Sequence, residues 1–454
     1  MTSRTETDAP PIRVESSRQS PVRHELEVEV SAERVDRLFD EAYRALGRRA
    51  RVRGFRPGRA PRRVLERLYG PTVAEDVERE LLQESLPEAL REAGLEPVAE
   101  PAVDAERPAP GAAFRYRALV ETRPEIPRVE WEGLSGQRPV FQVDEARVDR
   151  ELEGLRERFA QLVEEPEGTP AAEGHVVTLD FEGRVDGKPF PGGRGEGVRL
   201  EIGSGRFPPG FEEQLLGARA GEEREIRIVF PEDFGNPDLA GREAVFAVRV
   251  LAVQRRELPE LDDEFARDVG DFESLEELRE RIRGELHASA ERESRSALER
   301  SLTDALLERN PVEAPAALVE RVLRARLGRL REELEGRLPE AEIDARLRGF
   351  AASWRPDAER EVKVDLLLEA VADTERIEVS DAEVEEHLRA QATERGIEAE
   401  RLLQAYRRAG LLEAVRSELR SRRALERIVA RAEVEEVPAP SAEAVEAAEA
   451  GRGD

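Results

Sequence analysis

Residues 203–235 read GSGRFPPGFEEQLLGARAGEEREIRIVFPEDFG, and this stretch decides the fold of the middle of the chain. Glycine and proline divide it into short segments, and residues 223–230 (EREIRIVF) alternate charged and apolar side chains as a half-buried strand does. Apolar strand-like segments flank it at 175–187 (HVVTLDFEGRVDG) and 243–253 (EAVFAVRVLAV). Together these patterns predict a small domain that is mainly β.

Phenylalanine is concentrated in this domain, because seven of the 15 phenylalanines in the chain fall between residues 181 and 246. One interpretation is that the rings fill the core of a small β domain, and composition alone favours it by roughly two to one. The alternative is a pocket lined by aromatic side chains. The seven residues are Phe181, Phe190, Phe207, Phe211, Phe230, Phe234 and Phe246.

The composition of the whole chain excludes several kinds of site. There is no cysteine, which rules out disulfides and zinc–thiolate centres, and the four histidines are scattered, so no metal site is expected. No G-x-x-x-x-G-K-[ST] loop is present, and neither ATP nor another cofactor is predicted. No signal peptide or transmembrane run is recognisable, so we expect a cytoplasmic protein without a membrane partner.

The order of the patterns along the chain predicts a multidomain α+β protein. Its N-terminal part has helices on an antiparallel sheet, its middle part is β-rich, and its C-terminal part is helical. The expected segments are residues 1–20 as a disordered tail, 21–123 as an α+β domain, 124–170 as a linker with a helix, 171–256 as the β-rich domain, 257–437 as the helical domain and 438–454 as a second disordered tail.

Local signals place several helices inside these segments. Pro61 can begin a short helix over 62–70, and a longer helix is expected over 72–93. Capping boxes at residues 274–277 and 380–383 mark two further helix starts. In the C-terminal part, helices are expected near 275–310, 315–337, 381–394, 398–408 and 410–431.

A short basic stretch contrasts with the acidic chain around it. The chain has formal charge −28, yet ten arginines and a single acid, Glu66, fall between Arg44 and Arg67. A charge run is usually a solvated surface. The alternative is a docking loop, because residues 54–61 (GFRPGRAP) hold Phe55 between glycines that allow a partner to approach closely.

Three sets of motifs resemble the trigger factor family, bacterial chaperones that bind the ribosome near the nascent-chain exit. Residues 177–193 (VTLDFEGRVDGKPFPGG) and 202–223 (IGSGRFPPGFEEQLLGARAGEE) resemble the family's FKBP-type prolyl isomerase domain. GFRPGRAP is similar to its ribosome-binding loop. Residues 256–270 (RELPELDDEFARDVG) and 377–388 (IEVSDAEVEEHL) resemble its helical C-terminal part. The resemblance extends over about 21–437.

The resemblance implies an ATP-independent chaperone that holds nascent chains in an open, folding-competent state and carries peptidyl-prolyl cis–trans isomerase activity. It implies a cytoplasmic, partly ribosome-bound protein with links to protein export and cell division, and it leaves a homodimer of the free protein open. The expected partners are unfolded nascent polypeptides and the protein and rRNA of the ribosome. The implied catalytic pocket is Phe181, Phe190, Val198, Phe207, Pro208, Phe211, Phe234 and Phe246; the implied ribosome-binding residues are Gly54, Phe55, Arg56, Gly58 and Arg59.

Three pocket positions depart from the family pattern. Pro208 stands where the family usually has a residue whose backbone N–H holds the substrate carbonyl, and proline has no N–H. Phe234 replaces a common tyrosine, which removes a hydroxyl donor, and Val198 is smaller than the usual aromatic residue. We therefore expect the fold to be kept while isomerase activity is weak.

Two other functions are compatible with the same residues. The chain could act as a free prolyl isomerase whose helical part only recruits substrate, or as a scaffold without catalytic activity. Ribosome co-sedimentation separates the first alternative from a ribosome-bound chaperone. A peptide isomerisation assay combined with an aggregation assay tests the second.

Overall fold

The computed structural model describes residues 12–53, 55, 59–232, 234, 236 and 239–439. Its strands are β1 (Arg13–Ser20), β2 (Arg23–Val30), β3 (Ala102–Ala105), β4 (Phe114–Glu121), β5 (Ser135–Val140), β6 (Gln161–Glu164), β7 (Val176–Val185), β8 (Lys188–Glu201), β9 (Glu223–Val229), β10 (Glu243–Glu257) and β11 (Glu433–Pro438). Its helices are α1 (Ala32–Arg49), α2 (Arg62–Ala93), α3 (Glu145–Arg158), α4 (Asp263–Val269), α5 (Leu275–Arg309), α6 (Ala316–Leu334), α7 (Glu340–Thr374), α8 (Asp381–Glu394), α9 (Ala399–Ala409) and α10 (Leu412–Arg431).

The chain forms two compact units, and three boundaries along the sequence, after residues 139, 294 and 437, separate their segments. Among the described residues, one unit combines 12–139 with 295–437, and the other combines 140–294 with residues 438 and 439. Both helices and sheets are present, which confirms the predicted multidomain α+β class. Within the described ranges, no helix is both long and apolar enough to cross a membrane.

The N-terminal part of the first unit is a four-stranded antiparallel sheet, in the order β1-β2-β4-β3, packed against α1 and α2. Along β4, buried and exposed side chains alternate, and Val28 of β2 lies opposite Tyr116 of β4. These strands share one core with Leu38 of α1 and Leu81 of α2. The period-2 pattern in the strands and the apolar face of each helix therefore meet in a single apolar layer.

Two expectations for this part were wrong. Residues 13–20 are strand β1 rather than part of a disordered tail, because their backbone pairs with β2 although most of their side chains face solvent. Residues 1–11 lie outside the described residues. The helices expected over 62–70 and 72–93 are a single helix, α2, with Pro71 inside it. Burial of one continuous apolar face on both sides of Pro71 outweighs the backbone hydrogen bond that proline cannot make.

The helical part of the first unit has a core that includes a segment from the expected linker. Val129, Trp131 and Leu134 pack with apolar residues of α5, α7 and α10. Gly136 of β5 lies so close to α5 that a Cβ atom there would be 2.7 Å from Leu302. Strand β11, which we did not anticipate, pairs with β5. The tail beyond residue 439 lies outside the described residues.

The second unit contains a five-stranded sheet and a small helical cluster. The sheet runs β6-β10-β7-β8, with β9 also paired to β10, and these four pairings are antiparallel. Phe211, Ile226 and Val250 lie in its apolar core. Helices α3 and α4 and the first turns of α5 form a separate cluster around Phe265. The sheet and its core therefore support the phenylalanines of this domain.

Candidate functional site

Five phenylalanines of the β-rich domain form a connected aromatic cluster. Phe211 is fully buried at its centre, and its ring stacks on Phe207 with centroids 4.6 Å apart. It meets Phe246 edge-on at 5.2 Å and Phe181 at 6.3 Å. Phe190 contacts Phe246 at 6.0 Å. These residues come from β7, β8, β10 and the loop after β8, so the sheet brings together side chains that are far apart in sequence.

The cluster has a buried side and an accessible side. Phe181, Phe190, Val198 and Phe207 are only partly buried and pack against the apolar core behind them. They are the part of the cluster that a substrate could reach. Phe211 and Phe246 lie deeper. The arrangement supports both sequence interpretations, since the rings fill the core and also expose an aromatic surface.

Phe234 lies at the margin of the cluster. Its ring contacts Phe230 at 4.7 Å, and the residue remains 37% exposed. Phe230 in turn contacts Phe190 at 6.0 Å. Phe234 is therefore linked to the other rings through Phe230, which we had placed in the aromatic set but not in the pocket.

Two glycines allow aromatic rings to approach the strand backbone closely. A Cβ atom on Gly183 would sit 2.4 Å from Cε1 of Phe246. One on Gly195 would sit 2.6 Å from Cε1 of Phe181 and 2.7 Å from Cγ2 of Val198. No larger residue fits at either position without displacing an aromatic ring or Val198.

The loop after β8 brings Pro208 next to the pocket without a backbone donor. Pro208 is half-buried, and its carbonyl accepts a hydrogen bond from the N–H of Phe211 at 3.2 Å, which closes a turn. The neighbouring N–H of Phe207 donates to Glu212 at 3.2 Å and points into the protein. Pro208 therefore has no N–H to donate and Phe234 has no hydroxyl, so both donors of the family pattern are missing at these positions.

Glu212 is a site residue that our sequence reasoning missed. It is 6% exposed and accepts hydrogen bonds from four donors in residues 203–207. Burial acts to raise the pKa of this carboxyl group, but the hydrogen bonds from Gly205, Phe207, Gly203 and Ser204 outweigh it and hold the pKa below its ordinary value. The signal available in the sequence was a glutamate directly after Phe211 and shortly after the glycine-rich residues 203–205.

The chemistry that this pocket can support needs no nucleophile. Rotation about an X–Pro bond crosses a barrier of roughly 18–20 kcal/mol, and the twisted amide loses resonance. An apolar, water-poor wall of rings can stabilise the twisted amide relative to the planar one. Among the described residues, no group of three or more histidine, aspartate or glutamate side chains is placed to hold a metal ion.

A second candidate site is the loop between α1 and α2. Phe55 is 40% exposed, its N–H donates to the carbonyl of Val52 at 3.0 Å, and Arg59 is exposed. Gly54, Arg56 and Gly58, the other predicted docking residues, lie outside the described residues. The structure thus presents an exposed aromatic ring and an exposed arginine at one end of the helix pair.

Most of the described arginines around this loop have no ion-pair partner. Arg62 pairs with Asp40 and Glu66 and lies over the ring of Tyr43. Arginines elsewhere in the chain also form ion pairs, among them Arg34, Arg283 and Arg420. In contrast, no ion pair or hydrogen bond within the described part of the chain involves six exposed side chains: Arg49, Arg51, Arg53, Arg59, Arg63 and Arg67.

The helical part of the first unit contains an open cavity of about 890 Å³. Apolar side chains of α6, α7 and α10 line it together with charged ones, among them Asp365. Although Asp365 is exposed toward the cavity, partial desolvation raises the pKa of its carboxyl group to about 6, with Glu361, Glu369 and Glu418 adding to the effect. The cavity therefore combines apolar surface with a carboxylate that is poorly compensated.

Comparison with known proteins identifies related chains over almost the whole length. The family model "Bacterial trigger factor protein (TF)" matches residues 12–155, its C-terminal counterpart matches 274–430, and "FKBP-type peptidyl-prolyl cis-trans isomerase" matches 167–251. Trigger factor of Geobacter metallireducens is 39% identical over 85% of this chain and 90% of its own length. Trigger factor of Syntrophomonas wolfei is 36% identical over 93% and 97%.

A solved structure of a trigger factor chaperone, described for promiscuous substrate recognition in folding and assembly, is 24% identical. The match covers 92% of this chain and 99% of that one, with a TM-score of 0.45.

Proposed function

Since the chain belongs to the bacterial trigger factor family, we propose that its arginine-rich loop docks on the ribosome and that its helical part then shields emerging chains. The protein is a chaperone with an FKBP-type peptidyl-prolyl isomerase domain, and the family binds ribosomes and nascent chains. The observation that carries the docking proposal is the set of six exposed, uncompensated arginines beside the exposed ring of Phe55.

In this proposal, the loop has two kinds of contact. Phe55 and Arg56, with Gly54, Gly58 and Arg59 around them, dock on a ribosomal protein near the exit. The flanking arginines pair with rRNA phosphates, which the guanidinium group can contact in a bidentate manner. Because phosphate contacts release counterions, binding should weaken steeply as salt is raised. The whole chain has a formal charge of −28, so the residues outside this basic stretch repel other RNA.

Co-sedimentation of the full chain with vacant ribosomes tests this docking. The variant Phe55→Ala/Arg56→Ala should bind about tenfold or more weakly, since a central aromatic and an arginine commonly dominate an interface. A matched control is Phe350→Ala/Arg348→Ala, which removes the same two residue types from an exposed part of α7. Equal binding by both variants and the unaltered chain would exclude the loop as the docking site and favour a free isomerase.

We also propose the following division of labour. Residues 21–123 dock on the ribosome, 171–256 form the isomerase domain and 257–437 hold clients, joined through 124–170. The packing of Val129, Trp131 and Leu134 on α5, α7 and α10 supports a role for that part of the joining segment in the client-holding body. Family members are cytosolic chaperones, and we propose the same compartment, with a fraction on the ribosome.

The isomerase pocket is proposed to be weakly active, with Phe181, Phe190, Val198, Phe207, Phe211, Phe234 and Phe246 around the substrate proline. Pro208 cannot donate to the substrate carbonyl, and each missing donor costs about 1–3 kcal/mol of binding. Pro208→Ile would restore one N–H and should raise kcat/KM for a Phe-Pro peptide by roughly tenfold.

The matched control for this variant is Pro209→Ile, which adds an N–H one residue along the same turn. It should not raise the rate. If the unaltered chain already turns over the peptide as fast as Pro208→Ile does, the missing N–H is unimportant and the proposed weakness is incorrect.

A further inference from the structure

The carboxylate of Glu212 gathers the polar groups of the loop that carries Phe207. Its Oε2 accepts from the backbone N–H groups of Gly203 at 2.8 Å and Gly205 at 3.1 Å. Its Oε1 accepts from the N–H of Phe207 and from the hydroxyl of Ser204, both at 3.2 Å. Four donors within five residues thus converge on one buried side chain.

The loop has little other backbone support. From Gly203 to Phe207, the hydrogen bonds that the backbone N–H groups donate are that of Ser204 to the carbonyl of Glu201 and those of Gly203, Gly205 and Phe207 to Glu212. Gly203 and Gly205 have φ angles of +98° and +65°, a backbone region that lets their N–H groups turn toward a common acceptor. The loop conformation therefore depends on a single carboxylate.

The position of Phe207 depends on the same loop. Its ring stacks on Phe211 at 4.6 Å and meets Phe181 edge-on at 5.6 Å. Phe207 is partly exposed, so it contributes to the accessible wall of the cluster and not only to its core. If its backbone N–H loses the acceptor on Glu212, the stacked ring is free to move and water can enter the wall.

We propose that Glu212 is a positioning residue of the isomerase pocket, which fixes residues 203–207 so that Phe207 completes the apolar wall without itself touching substrate. This inference rests on the proposed isomerase function. Hydrogen bonds to a carboxylate are stronger than those to a neutral acceptor, so the charged side chain holds the loop firmly. A charged residue would in this way help to keep water out of an apolar pocket.

The test uses the full chain with Glu212→Gln. Glutamine keeps the shape of the side chain but has only one acceptor oxygen, so at least two of the four donors lose their partner. The control is Glu213→Gln, the neighbouring exposed residue, for which no side-chain hydrogen bond is recorded among the described residues. Amide hydrogen exchange is followed for residues 203–207 and for β7 and β10, and isomerisation of a Phe-Pro peptide is measured by NMR exchange.

The expected result is faster exchange in residues 203–207 of Glu212→Gln alone, unchanged exchange in β7 and β10, and a fall in kcat/KM of about tenfold. Glu213→Gln should match the unaltered chain in both measurements. Unchanged exchange in 203–207, or an unchanged rate despite faster exchange, would overturn the positioning role.

A second variant covers the case in which Glu212→Gln opens the whole domain. Ser204→Ala removes one donor and keeps the carboxylate, so it should raise exchange only in 203–207 and lower kcat/KM about twofold. No change in this variant would then overturn the inference. If the unaltered chain turns over no peptide, the proposed isomerase function fails, while the exchange measurements still decide whether Glu212 fixes the loop.

Discussion

Replacing Asp365 by asparagine should stabilise the chain at neutral pH. Asp365 lies on α7 and is exposed toward the open cavity, where partial desolvation raises the pKa of its carboxyl group from the ordinary 3.8 to about 6. Glu361 and Glu369 on the same helix and Glu418 on α10 disfavour its charge further. The arginines lining the same cavity are Arg123, Arg321, Arg416, Arg420 and Arg422, and none of them has a described ion pair with Asp365.

The direction in which pH changes the stability follows from proton uptake by Asp365. With a pKa higher in the folded chain than in the unfolded one, the folded state binds more protons between about pH 4 and 6, so stability falls as the pH rises through that range. Above pH 6 the full cost of the charge is present. A rise from 3.8 to about 6 corresponds to about 3 kcal/mol, which solvent in the open cavity reduces to about 1 kcal/mol.

Urea unfolding of the unaltered chain and Asp365→Asn, at about pH 7.5 and about pH 4, measures this difference. We expect a gain of about 1 kcal/mol in the free energy of unfolding at the higher pH, equivalent to a rise in Tm of about 2–4 °C, and almost no gain at the lower pH. The control is Asp357→Asn, an exposed aspartate on the same helix that does not line the cavity, and it should leave stability unchanged at both values.

Two results would refute this reasoning. A gain of equal size at both pH values would show that the effect comes from packing and not from charge. A loss of stability in Asp365→Asn at about pH 7.5 would show that the carboxylate is compensated by one of the cavity arginines, and so contributes favourably.

Three further substitutions test a close packing contact, a pair of ionic hydrogen bonds and a helix cap in the first unit. Gly136→Ala should cost about 1–3 kcal/mol in urea unfolding because its Cβ would lie 2.7 Å from Leu302, whereas Gly284→Ala, in an open helical position, should be neutral or stabilising. Arg34→Ala should cost about 1–3 kcal/mol by removing the partly buried hydrogen bonds of this buried side chain to two partly exposed glutamates, while exposed Arg37→Ala on the same helix should cost under about 0.5 kcal/mol by the same measurement. Ser380→Ala should lower Tm by removing the helix cap of α8, at a cost of about 1 kcal/mol, and a Tm equal to that of the unaltered chain would contradict the capping role.

Several features of the protein were predictable from sequence because they depend on neighbouring residues. The alternation in 223–230 becomes β9, and the capping box at Ser380 forms with both of its hydrogen bonds. The family resemblance of the β-rich domain and of both ends of the chain is confirmed by the matches to known proteins. These signals are local, because side-chain periodicity and helix capping act over only a few residues.

The part of the site that sequence did not reveal depends on the direction of backbone groups. The sequence of residues 203–207 does not show that three N–H groups and a hydroxyl will face one carboxylate, so it gave no reason to single out Glu212. In the same way, the sequence marked the phenylalanines but not their depth. Phe211 is fully buried while Phe234 is 37% exposed at the margin.

Sequence by itself determined the family, the order of the domains, the concentration of arginine around Phe55 and the concentration of phenylalanine in the β-rich domain. Tertiary structure alone decided that the polar residues 13–20 form a strand, that α2 continues through Pro71 and that Trp131 joins the helical core. The physical reason is the same in each case. Backbone pairing and burial against distant residues contribute more free energy than the local preferences of polar side chains and proline, and those distant partners are visible only in the folded chain.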